Sequence, residues 1–131
     1  MPLVRIDLRA GKAAEYRAAI GEVIYDALLG IGVPVNDRFQ IITEHPRECL
    51  IFDPGYLGIQ RSDALIMIQI TMNEGRSLDL KKRLYRAIAD QLNSRLSVRP
   101  QDVFINLVEV KKENWSFGNG EAQYASSAPT V

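Results

Sequence analysis

Apolar and polar residues alternate at the start of the chain, in Pro2-Leu3-Val4-Arg5-Ile6-Asp7-Leu8. A period of two predicts a strand over Leu3 to Leu8. After a turn at Gly11 the period changes. Ala19, Ile20, Val23, Ile24, Ala27 and Leu28 recur at helical spacing, predicting a helix from about Ala13 to Leu29 that ends at Gly30 and Gly32. A second β-type run covers Arg38 to Thr43. The order then returns, with a strand from Ala64 to Met72, a helix from about Leu78 to Leu96 and a strand from Val103 to Val110. Ser77 is a good N-cap for that helix, and Leu84, Ile88, Leu92 and Leu96 share one of its faces.

The recurrence extends to sequence. VPVNDRFQIITE, from Val33 to Glu44, resembles VRPQDVFINLVE, from Val98 to Glu109, at an offset of 65. Val33 matches Val98, Asp37 matches Asp102, Phe39 matches Phe104 and Glu44 matches Glu109. The first strands align at an offset of 62, Leu3 to Leu8 against Leu65 to Ile70. Self-similarity of this kind constrains the whole fold. Each unit reads strand-helix-strand, which gives a parallel pair through a crossover helix. The expected fold is therefore α+β: a duplicated β-α-β unit forming a four-stranded mixed sheet with two helices on one face. One domain of 131 residues is expected, with repeat 1 over about 2–45, a linker over 46–62, repeat 2 over about 63–110 and a tail over 111–131. Leu50-Ile51-Phe52 is a candidate short strand, and the tail is read as a short strand or hairpin. The strands look apolar on both faces while two helices cover only one, so the open face calls for self-association.

Composition narrows the function classes. Sixteen basic residues balance 16 acidic ones, so a nucleic-acid partner is not expected. The longest apolar run, Ala64 to Ile68, is too short to span a membrane. Cys49 is the single cysteine, which excludes an intrachain disulfide and fits a reducing cytoplasm. No secretory signal is visible.

The candidate chemistry begins at Pro2. Removal of Met1 would leave Pro2 a free secondary amine, unlike the non-basic amides of the rest of the main chain. An α-amino group titrates near ~7.7–8.0, and burial or nearby cations lower that value. A group poised near the working pH suits proton transfer. It can act as base when neutral or as acid when protonated. The competing reading is a tolerated first residue of an edge strand.

Several segments carry a family resemblance: Pro2-Leu3, Gly32-Val33-Pro34, Asp37-Arg38-Phe39-Gln40, His45, Gly75-Arg76-Ser77, and Trp115-Ser116-Phe117-Gly118 with Gly120. In this order and spacing the chain resembles the tautomerase superfamily, and within it the malonate semialdehyde decarboxylase-like branch. The resemblance implies a homotrimer without cofactor or metal, acting on small carboxylate-bearing carbonyl or enol compounds. It implies Pro2 as the catalytic amine, Asp37 as its acidic partner and Arg76 as the carboxylate-binding arginine. It implies Trp115, Phe117 and Tyr124 as pocket wall. The turn Asn73-Glu74-Gly75-Arg76 departs from the decarboxylase pattern, because Glu74 stands where the first of two arginines is expected. The leading function is thus a cofactor-independent tautomerase of 2-oxo acids and enol carboxylates. The alternatives are decarboxylation of a 3-oxo acid such as malonate semialdehyde, and a non-catalytic trimeric binding protein.

The residues themselves bear on these assignments. Arg76 lies just before a helix N-terminus, where orphan N–H groups add positive potential for an anion. Arginine recognises carboxylates through two parallel hydrogen bonds. Asp37 shares its place with Asp102, so both readings stay open: a catalytic acid, or an inherited turn residue or ion-pair partner of Arg38. His45, beside Glu44 and Pro46, reads as structural. No Cys or His pair has metal-ligand spacing, and Cys49 reads as packing. Tyr56 and Asn106 are further polar candidates, and Lys81, Lys82, Arg83 and Arg86 read as a solvated face.

Overall fold

A computed structural model describes residues 1–125 of the chain. Six principal elements follow in order: β1 (Leu3–Arg9), α1 (Ala14–Leu29), β2 (Phe39–His45), β3 (Ile66–Asn73), α2 (Leu78–Leu96) and β4 (Val103–Val110). The strands form one mixed sheet in the order β2-β1-β3-β4. β1 and β3 run antiparallel in the centre, and each carries a parallel outer strand from its own unit. This is the duplicated β-α-β sheet with two helices that the periodicity predicts.

One face of the sheet makes the core. Val4, Ile6 and Leu8 of β1, with Ile66, Ile68, Ile70 and Met72 of β3, meet Ile20, Val23, Ile24 and Leu28 of α1 and Leu84, Ile88 and Leu92 of α2. All are buried, and each such side chain contributes on the order of 1.5–3 kcal/mol of hydrophobic stabilisation. α1 comes close to β2 at Gly21, whose carbonyl accepts a 2.9 Å hydrogen bond from Gln40. A Cβ at Gly21 would sit 2.5 Å from the Gln40 side chain, so glycine permits this approach. The helices are also joined by an ion pair, Arg95 to Asp26, at 3.1 Å.

The other face corrects one expectation. It is mixed, not apolar. Successive rows across the sheet read Phe39–Leu3–Thr71–Val108, Ile41–Arg5–Gln69–Asn106 and Thr43–Asp7–Met67–Phe104. Polar groups occupy its middle, and Phe39, Ile41, Phe104 and Val108 stand exposed toward its edges. Alternation along the strands separates the two faces; the helix-facing one is hydrophobic across the central strands, with Gln40, Glu44 and Glu109 on its outer strands.

Two further segments differ from expectation. Leu50 to Phe52 is not a strand, and among the described residues no strand or hairpin follows β4. Instead 3₁₀ turns, Arg47–Cys49 and Lys112–Asn114, follow β2 and β4. The first-strand offset is 64, not 62. Gly11 and Gly75 both have left-handed φ, 121° and 113°, and sit 64 apart. The helix N-caps Ala13 and Ser77 have the same spacing. After the helices the offset is 65, as the ion pairs Arg17–Glu44 and Lys81–Glu109 show, at 3.2 and 2.7 Å. The 3₁₀ turns continue that offset, so Leu50 and Phe52 correspond to Trp115 and Phe117.

Candidate active site

The strand registers bring the start of the chain to one end of the sheet. Leu3 lies opposite Phe39 on one side and opposite Thr71 on the other. The residues before Leu3 therefore run between the segment leading into β2 and the end of β3. There the terminal amine, carried by Met1 in this chain, lies 3.5 Å from Asp37 Oδ2, with both groups almost buried. Pro2 is itself buried.

Asp37 is held by its turn. Its N–H donates to the Pro34 carbonyl at 3.3 Å, and Asn36 before it adopts a left-handed φ of 68°. Arg38 does not pair with Asp37. It reaches Glu22 at 2.8 Å instead and lies 5.0 Å over the Tyr25 ring. The second oxygen of Asp37, Oδ1, is buried without a hydrogen-bond partner. Buried carboxylate oxygens are seldom left so. Asp102, at the matching place in the second repeat, has a different environment. It is fully buried and accepts hydrogen bonds from Ser62 N at 2.7 Å and Ser62 Oγ at 2.6 Å.

Arg76 is partly buried on the turn into α2. The turn needs Gly75 at its positive φ, and Ser77 closes it by accepting from Leu80 N at 3.2 Å. Arg76 Nη1 donates to the Asn73 carbonyl at 3.2 Å. The hydrogen bond from Lys81 holds the Glu109 carboxyl below its ordinary pKa, and the Gly75 N–H and the charge of Arg76 add to the effect. Glu74 is exposed beside this turn.

The segment after β4 supplies an aromatic wall. Trp115 and Phe117 stack with ring centroids 5.4 Å apart at 21°, and Tyr124 meets Phe117 edge-on at 4.8 Å. The loop is clasped by Gln123, whose Oε1 accepts from Phe117 N at 2.9 Å while its amide donates to the Gly118 carbonyl at 2.8 Å. Burial, with the nearby Asp37 charge, raises the Tyr124 phenol above its ordinary pKa. It thus stays a neutral hydroxyl at physiological pH.

A cavity of about 210 Å³ lies between the chain start and this wall, lined by Met1, Pro2, Leu3, Phe39, Trp115, Ser116 and Phe117. Pro2, Trp115 and Phe117 share it. Asp37 borders the Met1 amine and Tyr124 joins through Phe117. Arg76 does not line the cavity and is linked to its wall through Asn73, which hydrogen-bonds both Arg76 and Trp115. A larger groove of about 880 Å³ runs between α2 and β4, but none of these groups lines it.

The other candidates lie elsewhere. His45 Nε2 is 2.6 Å from Asp7 Oδ1 on the open face, at the opposite end of β1 from Pro2. Asn106 accepts from Gln69 at 3.1 Å in the same layer. Tyr56 is exposed. Cys49 is exposed rather than packed, since its 3₁₀ turn lies on the surface. Among the described residues no group of three or more His, Cys, Asp or Glu could hold a metal ion.

Two family models, both described as tautomerase enzyme, match residues 2–59 and 37–118. A probable tautomerase of Bacillus subtilis (strain 168), YusQ, is 41% identical over 124 residues, covering 94% of this chain and 98% of the relative. Another from the same strain, YrdN, is 33% identical over 95% of this chain and 96% of its own. The chain belongs to the tautomerase family.

Among solved tautomerase structures it resembles the malonate semialdehyde decarboxylase branch. One such decarboxylase, inhibited by 3-bromopropiolate, is 37% identical with a TM-score of 0.88, covering 97% of this chain and 99% of that one. A second is 28% identical at the same TM-score, over 95% of this chain and 96% of its own. A fused 4-OT symmetric trimer, 22% identical with a TM-score of 0.78 over 96% and 99% of the two chains, shares the fold. In this tautomerase, sequence reasoning gave no role to Phe39, Ser116 or Asn73. In the sequence Phe39 shows as a strand residue, as the repeat match of Phe104 and in the resemblance segment, but not as pocket lining, and nothing marks Asn73 as a partner of Trp115.

Proposed function

We propose that this tautomerase, once freed of Met1, uses the secondary amine of Pro2 to move a proton between carbon and oxygen of a small 2-oxo acid or enol carboxylate. No cofactor or metal takes part in this reading. The observation that carries it is the small aromatic-walled cavity that Pro2 itself lines, with Asp37 beside it, 3.5 Å from the nitrogen of the preceding Met1. A neutral amine takes the proton from the substrate and, as ammonium, returns it to the other position, so the enzyme ends unchanged. Asp37 stabilises the ammonium form; a cation such as Arg76 favours the neutral one. The unpartnered Asp37 Oδ1 is free to accept a hydrogen bond from substrate or water. Arg76 binds the substrate carboxylate. Trp115, Phe117 and Tyr124 exclude water from the reacting atoms. Trimeric assembly through the open face of the sheet accompanies this reading, supported by the fold shared with a trimeric 4-OT.

Decarboxylation of malonate semialdehyde is the second reading, supported by 37% identity to such a decarboxylase. Glu74, in place of a second arginine, weakens it. The test is intact-mass analysis of native protein, followed by assays of phenylenolpyruvate ketonisation and malonate semialdehyde decarboxylation with Pro2→Ala and Arg76→Ala. Ketonisation should fall by about 10²–10⁴-fold in Pro2→Ala, the range typical of a lost acid–base group. Arg76→Ala should chiefly raise KM. Met-free protein that decarboxylates but does not ketonise supports the second reading. Retention of Met1 in the native protein would overturn both, because Pro2 would then be an amide, and would leave a binding protein.

A further inference from the structure

Asn73 joins two parts of the pocket that sequence reading keeps apart. Its side-chain Oδ1 accepts a 2.7 Å hydrogen bond from Trp115 Nε1. Its carbonyl accepts from Arg76 Nη1 at 3.2 Å. The side chain thus fixes the aromatic wall while the main chain of the same residue fixes the guanidinium.

The duplication shows that this strut is a device of the fold. Arg9 ends β1 as Asn73 ends β3, 64 positions earlier. Arg9 Nη2 donates to the Leu50 carbonyl at 3.2 Å, and its guanidinium lies 5.1 Å over the Phe52 ring. Leu50 and Phe52 are the repeat counterparts of Trp115 and Phe117. Both strand ends therefore reach across to the segment after the 3₁₀ turn, but with opposite hydrogen-bond polarity. An indole N–H only donates, so it needs an acceptor, and arginine has none. Asparagine supplies one without a negative charge that would compete for Arg76.

We infer that Asn73 is a positioning residue, which sets the Trp115 ring against the cavity and thereby the size of carboxylate that Arg76 and the wall admit together. The substrate part of this inference rests on the proposed function; the hydrogen bond to Trp115 does not.

Trp115 is the single tryptophan of the chain, so fluorescence excited at the red edge, beyond tyrosine absorption, reports on it alone. Asn73→Leu, which keeps the branched shape but removes the acceptor, should red-shift the emission and increase acrylamide quenching severalfold. Asn73→Asp keeps the acceptor and should restore the native spectrum. In ketonisation of phenylenolpyruvate, Asn73→Leu should raise KM about five- to tenfold, the value of one neutral hydrogen bond, while kcat changes less. Combined with Trp115→Phe, Asn73→Ala should add no further change in KM, which gives a test even if Asn73→Leu does not fold. Emission and quenching equal to wild type in Asn73→Leu, or additive effects on KM in the double variant, would overturn the inference. If Pro2→Ala shows that the proposed reaction is wrong, the fluorescence of Asn73→Leu and Asn73→Asp still decides the role of Asn73.

Discussion

Asp37 and Asp102 occupy matching places in the two repeats, yet their surroundings assign them opposite work. Asp102 is fully buried with both oxygens hydrogen-bonded by Ser62. Asp37 faces the terminal amine with one buried oxygen left unpartnered. Hydrogen bonds to a charged group are each worth about 1.5–3 kcal/mol. Asp102→Asn should therefore lose about that much stability in urea unfolding while leaving kcat/KM within about twofold. Asp37→Asn should do the reverse: stability held or slightly raised, and kcat/KM reduced about 10²-fold, as for a lost acid–base partner. The sequence pairs these residues but cannot separate them. The difference lies in Ser62, 40 positions before Asp102, and in a chain start that reaches Asp37 only through the sheet.

At the scale of elements, most of the structure is written locally. Helical spacing locates α2 over Leu78–Leu96 and period-two alternation locates β4 over Val103–Val110, as observed. The other strands shift by one or two residues at their ends. Leu50 to Phe52 is not a strand: the Leu50 carbonyl accepts from Arg9, whose guanidinium lies over the Phe52 ring, and Ile51 is exposed between them. The two helix starts offer a clean comparison. Ala13 has φ −69° and ψ 158°, nearly the −69° and 160° of Ser77, but makes no side-chain cap. Ala13→Ser should therefore stabilise the protein by about 1 kcal/mol, and Ser77→Ala should cost about as much. Urea denaturation of the two variants checks both signs.

At the scale of the whole molecule, the open face of the sheet dominates. Phe39, Ile41 and Phe104 are 50%, 40% and 46% exposed around a polar centre of Arg5, Gln69 and Asn106. Large apolar side chains exposed on both outer strands of this face suit a subunit interface better than bare water. Light scattering should find a trimer, and Phe104→Asp should yield monomers, since its row across the sheet, Thr43–Asp7–Met67, offers the new carboxylate no cation. A monomeric wild type would exclude this assembly.

The sequence by itself determined the order of elements, the duplication, the helix-facing core and the residues of the tautomerase resemblance. These follow from periods of two and 3.6, from glycine and serine at turns and caps, and from identities a few residues long, all of which are local. The tertiary structure decided the rest. It turned Arg38 away from Asp37 and toward Glu22, buried one twin aspartate and left the other facing an amine, and linked Trp115 to Asn73 across 42 positions. Those outcomes depend on strand register. Register is set by the summed packing of both repeats, and no single segment carries that information.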